Sequence, residues 1–196
     1  LKSAWLTRYV KAPVAGLDKG SAREPMASRF YDRKLAVARG QHAVERVRQL
    51  FAIALGYDLP KGLGDYGLNV ERLVELPRKN AFVVFLHGTT WDTKHWPESY
   101  WRELTERVGY LGVGVKLPWG NPQEKARAER IAAGFKHAEV LPKLNLAGVG
   151  KVLAGAQACV AVDTGLGHLA AALDVPTISL FGPTNPGLTG AYGKLQ

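Results

Sequence analysis

Ala81-Phe-Val-Val-Phe-Leu86 is a short apolar run of β-formers, and Pro97-Glu-Ser-Tyr-Trp-Arg-Glu-Leu-Thr-Glu-Arg-Val108 follows it with proline at the first turn and acids early, the signature of a helix start. The same alternation continues downstream. Residues 113–117 predict a strand, 123–135 a helix and 138–141 a brief strand; Asn145 can cap a helix running to 154. Residues 158–162 predict another strand, 165–173 a helix and 177–181 a last strand. Strands separated by helices of this length need crossover connections, which give a parallel sheet covered on both faces. The expected fold class is therefore α/β, with a doubly wound domain over residues 81–196. No repeat, heptad series or low-complexity tract competes with that assignment.

Upstream of residue 81 the pattern changes. Residues 42–55 place Val44, Val47, Phe51 and Leu55 on one helical face, with Arg46, Arg48 and Gln49 elsewhere, and the run stops at Gly56. Leu59-Pro-Lys-Gly-Leu-Gly-Asp65 has the Pro and Gly density of a loop, and Pro77-Arg-Lys-Asn80 that of a second break. The boundary is drawn at the second, giving regions 1–80 and 81–196. Charge divides the same way. The 196 residues carry 26 Lys and Arg against 17 Asp and Glu, a net charge of +9, of which residues 1–80 hold +7. Arg23, Arg29, Arg33, Lys34, Arg39, Arg46 and Arg48 meet only Glu24, Asp32 and Glu45 in their stretch. That density fits either an anionic partner or a solvated helical surface.

Composition excludes several classes. A 46% hydrophobic chain can fill a core, so intrinsic disorder is not expected. With one cysteine, Cys159, neither a disulfide framework nor a thiolate zinc site can be built, which suits a reducing compartment. The longest uncharged run, residues 175–193, is broken by Pro176, Pro183 and Pro186 and cannot span a membrane as a helix. Leu1 opens the sequence where an initiator Met would stand, and Lys2-Ser-Ala-Trp-Leu6 reads as domain interior, so a piece of a longer protein is expected.

In an open parallel sheet, ligands bind beyond the carboxyl ends of the strands. The unusual polar residues fall there. His87-Gly-Thr-Thr-Trp-Asp-Thr-Lys-His-Trp96 follows the first strand, Asp163-Thr-Gly-Leu-Gly-His168 a later one, and Gly182-Pro-Thr-Asn-Pro-Gly187 the last. Small residues let a ligand approach the backbone, and a helix start offers unpaired amides worth about half an elementary charge. Such a crevice suits phosphates. Lys94, beside Thr89 and Thr90, is the favoured phosphate ligand, since a hydrogen bond to an ionised partner contributes roughly 1.5–3 kcal/mol against about 0.3–1 kcal/mol for a dipole contact. Asp163 can cap the following helix or take sugar hydroxyls. His168 can donate to a ligand oxygen or sit satisfied in the core. Glu124, after Leu117-Pro-Trp-Gly-Asn-Pro122, is placed to take both hydroxyls of a ribose, or is a first-turn glutamate there for dipole reasons.

Gly165-Leu-Gly-His-Leu-Ala170 matches the dinucleotide pattern G-x-G-x-x-A, but that motif wants an acid about 20 positions on, and after Asp174 the chain has no Asp or Glu. An NAD site therefore lacks its ribose anchor. No P-loop and no metal-ligand spacing is present, and His87, His95 and His168 are too scattered to argue for a metal.

These loops resemble the ADP-heptose glycosyltransferase family, the bacterial lipopolysaccharide heptosyltransferases. The resemblance rests on Phe85-Leu-His-Gly-Thr-Thr90, Asp92-Thr-Lys-His-Trp-Pro97, Lys116-Leu-Pro-Trp-Gly120, Val140-Leu-Pro-Lys143, Leu153-Ala-Gly-Ala156, Val162-Asp-Thr-Gly-Leu166 and Gly182-Pro-Thr-Asn-Pro-Gly-Leu188, in order. Ala22-Arg-Glu-Pro25, Phe30-Tyr-Asp-Arg33 and Gln41-His-Ala-Val-Glu-Arg46 are similar to the family's type I branch in particular. The resemblance covers essentially the whole chain. It implies a GT-B-type fold, with one nearly complete Rossmann-like domain over 81–196, lacking its last helices, preceded by part of a second over 1–80.

It also implies an inverting transfer of L-glycero-D-manno-heptose from ADP-heptose to Kdo of Kdo-lipid A, in lipopolysaccharide inner-core biosynthesis, with no cofactor and no metal. The site residues it implies are Thr89, Thr90 and Lys94 on the diphosphate, Glu124 on the ribose, Asp163 on the heptose or diphosphate, and Thr164, Gly165 and His168 completing the donor site. Lys94 and Asp163 would stabilise the transition state and leaving group. Arg23, Arg33 and Arg46 would contact the phosphates and carboxylates of the acceptor. Partners would be the donor, Kdo-lipid A and an anionic membrane surface at the cytoplasmic face of the inner membrane, with no nucleic acid. The family's general base, an aspartate, would lie upstream of Leu1, so the chain alone is expected to be inactive. Gly88 stands where the family usually has alanine and Gly167 where it usually has serine. Two other readings stay open at this point: another GT-B nucleotide-sugar enzyme, and a non-catalytic module using its basic half to bind anions.

Overall fold

The alternation that opens at residue 82 builds a five-stranded parallel sheet. The computed structural model describes residues 1–70, 73 and 81–196. The segments divide into two compact units, residues 1–62 with 187–189, and residues 63–186 with 190–196. That division falls inside the 59–65 loop, whereas the sequence reading divides at residue 80; the break expected at 77–80 lies outside the described residues.

In the first unit, helix α1 (Lys2–Leu6) is followed by strands β1 (Ala15–Leu17) and β2 (Arg33–Leu35), which pair in parallel with Ala15 opposite Arg33, and by helix α2 (Ala43–Leu55). A 3₁₀ helix, Pro25–Phe30, lies between the strands. His42 caps α2 by accepting the Val44 amide on Nδ1, and Gly56 ends it at φ 73°, a conformation glycine adopts without a Cβ penalty. The helix is where periodicity predicts it, but its apolar face is not buried. Val47, Phe51 and Leu55 are 52%, 54% and 70% exposed, while Ala52 is the buried residue. The strand pair is only three residues long on each side, too small a surface to cover a three-turn apolar stripe.

In the second unit, the strands are β3 (Phe82–Leu86), β4 (Gly114–Leu117), β5 (Ala138–Val140), β6 (Ala158–Val162) and β7 (Thr177–Leu180), in the order β5-β4-β3-β6-β7. Helices α3 (Glu98–Tyr110), α4 (Pro122–Ala132), α5 (Leu146–Gly155) and α6 (Gly165–Ala172) connect them, and a short α7 (Pro186–Thr189) follows β7. Asn121 and Asn145 cap α4 and α5 through their side chains. Helix α4 ends at Ala132, short of its expected end at 135, because Gly134 takes φ 87° and turns the chain away.

Strand alternation explains the two-sided core. Val84 and Leu86 face Val149, Leu153 and Ala170, whereas Phe85 faces Trp101, Leu117 and Ile131. Trp101, fully buried, meets the Phe85 ring at 5.1 Å and the Trp96 ring at 5.0 Å. Cys159 is buried among the first set, and burial pushes its thiol up to about 12, so it packs as a small hydrophobe. The sheet grows outward from β3 toward β4 on one side and β6 on the other. Where strand order reverses in this way, the two adjoining loops diverge and leave a crevice at the carboxyl ends.

Candidate functional site

That crevice lies between the loops after β3 and β6, which carry Lys94 and Asp163. Lys94 closes a 3₁₀ turn, Asp92–Lys94, and its Nζ lies 2.6 Å from Oδ2 of Asp163. Both side chains are mostly covered, at 23% and 11% exposure. Burial alone would raise the Asp163 carboxyl, but Lys94 and Thr184 beside it, with His168 adding its charge, hold it below the ordinary carboxylate range. Thr89 joins the same two loops by donating its hydroxyl to the Asp163 carbonyl at 3.1 Å. The loop after β7 closes the other side: a Cβ built on Gly182 would stand 3.0 Å from the Thr93 carbonyl, so a small residue permits that approach.

Asp163 is not a helix cap. The N-cap of α6 is Thr164, which makes no side-chain capping bond, so the carboxylate is turned to the lysine instead. Asp163, Thr164 and His168 line one recess together with Gly167, Ser179 and Phe181. His168 is exposed there rather than packed in the core. Gly165 and Thr90 are also exposed at the loop ends.

Glu124 comes to the crevice from the next loop over. Asn121 accepts its amide at 2.8 Å, and its Oε2 accepts the Gly120 amide at 2.7 Å. Its carboxyl also rests on Gly88, where a Cβ would meet it at 2.8 Å. Glycine at position 88 therefore gives the Glu124 carboxyl room. At Gly167 a Cβ would meet only Ala161 at 3.5 Å, an ordinary contact.

A second layer of charge lies behind these residues and sequence reasoning missed it. His87 is fully buried, with neither ring nitrogen in a conventional hydrogen bond among the described residues. Its imidazole is pulled down to about 4, chiefly by burial, with the Arg127 charge adding to it and Glu124 opposing. Arg127, on α4, contacts Nδ1 of His95. Arg127 stands three residues after Glu124 and so shares its helix face, which is the signal that would have singled it out. Among the described residues no three His, Cys, Asp or Glu side chains converge on a point that could hold a metal ion.

Several side chains of the first unit's basic cluster also bond backbone carbonyls. Arg33 donates Nη1 to the Ala54 carbonyl at 2.8 Å, at the end of α2. Arg46 donates Nε to the Ala38 carbonyl at 3.0 Å and Nη2 to the Ser21 carbonyl at 2.5 Å. Arg39 reaches the Ala22 carbonyl, and Arg48 the carbonyls of Pro60 and Gly62. Of the three arginines implied for an acceptor, Arg23 and Arg33 are exposed and Arg46 is half-buried.

Comparison with known proteins agrees with the geometry. Residues 1–196 match glycosyltransferase family 9 (heptosyltransferase). The chain is 70% identical to lipopolysaccharide heptosyltransferase 1 of Pseudomonas aeruginosa over 197 residues, covering all of this chain and 56% of that one. It superposes on the E. coli heptosyltransferase WaaC solved with ADP at a TM-score of 0.91 and 52% identity, covering all of this chain and 62% of that one. The same enzyme solved with ADP-2-deoxy-2-fluoro heptose gives a TM-score of 0.88, again with full coverage of this chain and 61% of that one. The chain thus spans about three fifths of the length of these relatives, and its fold is α/β of the GT-B type. Agreement in sequence along its whole length, and in the sheet that puts Lys94 beside Asp163, makes this chain a member of glycosyltransferase family 9, the heptosyltransferase family.

Proposed function

We propose that this chain supplies the nucleotide-sugar side of an inverting heptosyltransferase. The transfer takes L-glycero-D-manno-heptose from ADP-heptose to Kdo of Kdo-lipid A. The observation that carries the reading is the pairing of Lys94 with Asp163 at the point where strand order reverses. The names of the similar proteins support the donor and the pathway.

In this reading the diphosphate enters over Thr89 and Thr90 and takes the Lys94 ammonium from Asp163. The freed carboxylate is then beside the heptose, where it accepts hydroxyls and opposes the positive charge that grows at the anomeric carbon. As ADP departs, negative charge gathers on its phosphate oxygens, and Lys94 with the amides at the start of α6 stabilises it without a metal. Glu124 takes the ribose hydroxyls, its second oxygen already held by the Gly120 amide. Thr164, Gly165 and His168 complete the donor side. On the acceptor side Arg23, Arg33 and Arg46 meet its anionic groups. The acceptor places the reaction at the cytoplasmic face of an inner membrane, with peripheral contact to its anionic surface; no helix among the described residues is long and apolar enough to cross one.

Calorimetric titration with ADP tests the reading. Lys94→Ala should weaken ADP by roughly ten- to a hundredfold, the loss of one charged hydrogen-bonding partner. Equal affinity would remove Lys94 from the site, and a preference for UDP over ADP would contradict the proposed donor.

A further inference from the structure

Lys94 sits on an exposed stretch, yet its ammonium is held in one place. Trp91, Asp92 and Thr93 before it are all exposed. A lysine on such a turn loses side-chain freedom when it binds, at a cost that falls only if the turn is already fixed. The neighbouring residue fixes it. His95 is 18% exposed, its Nδ1 contacts Nη1 of Arg127, and its Nε2 faces Oδ1 of Asp92 at 3.8 Å. Arg127 in turn places Nε 3.6 Å from Oε1 of Glu98, in the first turn of α3. Glu98 takes Arg130 through both carboxylate oxygens, at 2.6 and 2.8 Å.

A guanidinium has donors and no acceptor, so its contact with Nδ1 requires a lone pair there. That assigns the imidazole proton to Nε2, on the Asp92 side. One helix, α4, therefore carries both Glu124 and the arginine that pins the turn before α3.

Resting on the donor-site reading above, we propose that Arg127 is a positioning residue of that site: by holding Nδ1 of His95 it fixes the turn that carries Lys94, and so sets where the ammonium meets a nucleoside diphosphate.

The clamp is proton-sensitive. The groups facing His95 are Arg127 and Glu124 from α4, Asp92 from its own turn and the His87 backbone at the end of β3. Burial, then the Arg127 charge, holds His95 below its ordinary value of 6.5, against the pull of Asp92, the His87 carbonyl and Glu124. Above neutrality the clamp is intact. Because His95 is held below 6.5, the clamp outlasts that pH, and only at a lower one would a proton on Nδ1 point at the guanidinium and open it.

Calorimetric titration of ADP into the chain, Lys94→Ala, Arg127→Met and the double variant tests the proposal. Arg127→Met should weaken ADP about tenfold alone and less than about twofold in the Lys94→Ala background, because the second change removes what the first one positions. The ratio of wild-type to Arg127→Met affinity should stay constant above pH 6.5 and fall toward one only on the acid side of it, and the titration of ADP itself cancels in that ratio. Should Arg127→Met unfold the chain, His95→Phe keeps the ring, removes the acceptor and leaves Arg127 on Glu98; the same tenfold loss is expected. Unchanged affinity in Arg127→Met with weak binding in Lys94→Ala overturns this proposal alone. An equal loss in both backgrounds overturns it too. Unchanged affinity in Lys94→Ala overturns the donor-site reading and this proposal with it.

Discussion

The two units of this chain reach order by different means. In the sheet unit the buried side chains are large: Trp101, Phe85, Leu117, Ile131 and Leu153 are all closed to solvent, and they fill both faces of one sheet. In the first unit the buried apolar residues are Ala4, Ala22, Ala27, Val37 and Ala52, while Trp5, Phe51 and Leu55 stand exposed. There the loops are pinned by arginines donating to carbonyls, Arg46 to Ser21 and Ala38, Arg33 to Ala54, Arg48 to Pro60 and Gly62. A basic cluster that reads as a surface for anions is, at Arg33, Arg39, Arg46 and Arg48, also a scaffold for its own backbone. Charge density in a sequence therefore counts ligands and struts together.

The contrast breaks first, if it is wrong, at Trp101. Trp101→Ala removes a fully buried ring from the sheet unit and should cost about 3–5 kcal/mol in urea unfolding, whereas Phe51→Ala in the first unit should stay within about 0.5 kcal/mol. Comparable losses would mean that both units rest on packing.

Acid should act on the sheet unit through His87. The unfolded imidazole takes a proton below its ordinary value of 6.5, but the buried one does not until about 4, so the unfolded state binds more protons across that window. Stability is full above 6.5 and falls as the pH drops toward 4, by on the order of 3 kcal/mol. His87→Phe should flatten that part of the pH profile in thermal melts. A profile that keeps its slope would assign the loss to another group.

Arg46 sharpens the comparison from the other side. Arg46→Met keeps the stem and removes both carbonyl bonds, each worth about 1 kcal/mol net. Amide hydrogen exchange should then quicken around residues 21–23 and 37–39, while amides of β3 and β6 keep their protection. Uniform loss in both units would deny that they are stabilised separately.

The smallest effect concerns the site. Gly88→Ala puts a methyl against the Glu124 carboxyl, which is the far end of a flexible chain and can swing aside. Stability should change by less than about 0.5 kcal/mol, with ADP affinity shifting less than about threefold. A tenfold loss would tie the Glu124 rotamer to binding far more tightly.

Much of the sheet unit was legible because its local signals agree. The apolar run at 82–86, Pro97 at the start of α3, and Asn145 before α5 each specify an element within a few residues of chain, and the crossover rule then assembles them. Helix α2 was equally legible as a helix. Its burial was not, since a 3.6-residue period shows which residues share a face and not whether anything covers it. Lys94, Asp163 and Glu124 could be picked out by their place after strands, but the 2.6 Å pairing of the first two spans sixty-nine positions of chain and depends on β3 and β6 lying side by side.

Sequence alone determined the elements, the family and the loops that hold the chemistry, because propensity, capping and motif spacing act over a few residues. Tertiary structure alone decided that Asp163 turns to Lys94 rather than to its own helix, that His87 is sealed from water, that Arg127 reaches His95, and that Arg33 and Arg46 are taken up by carbonyls. Each of these depends on which distant groups arrive within about 4 Å, the range over which a charge or hydrogen bond is strong enough to choose a partner.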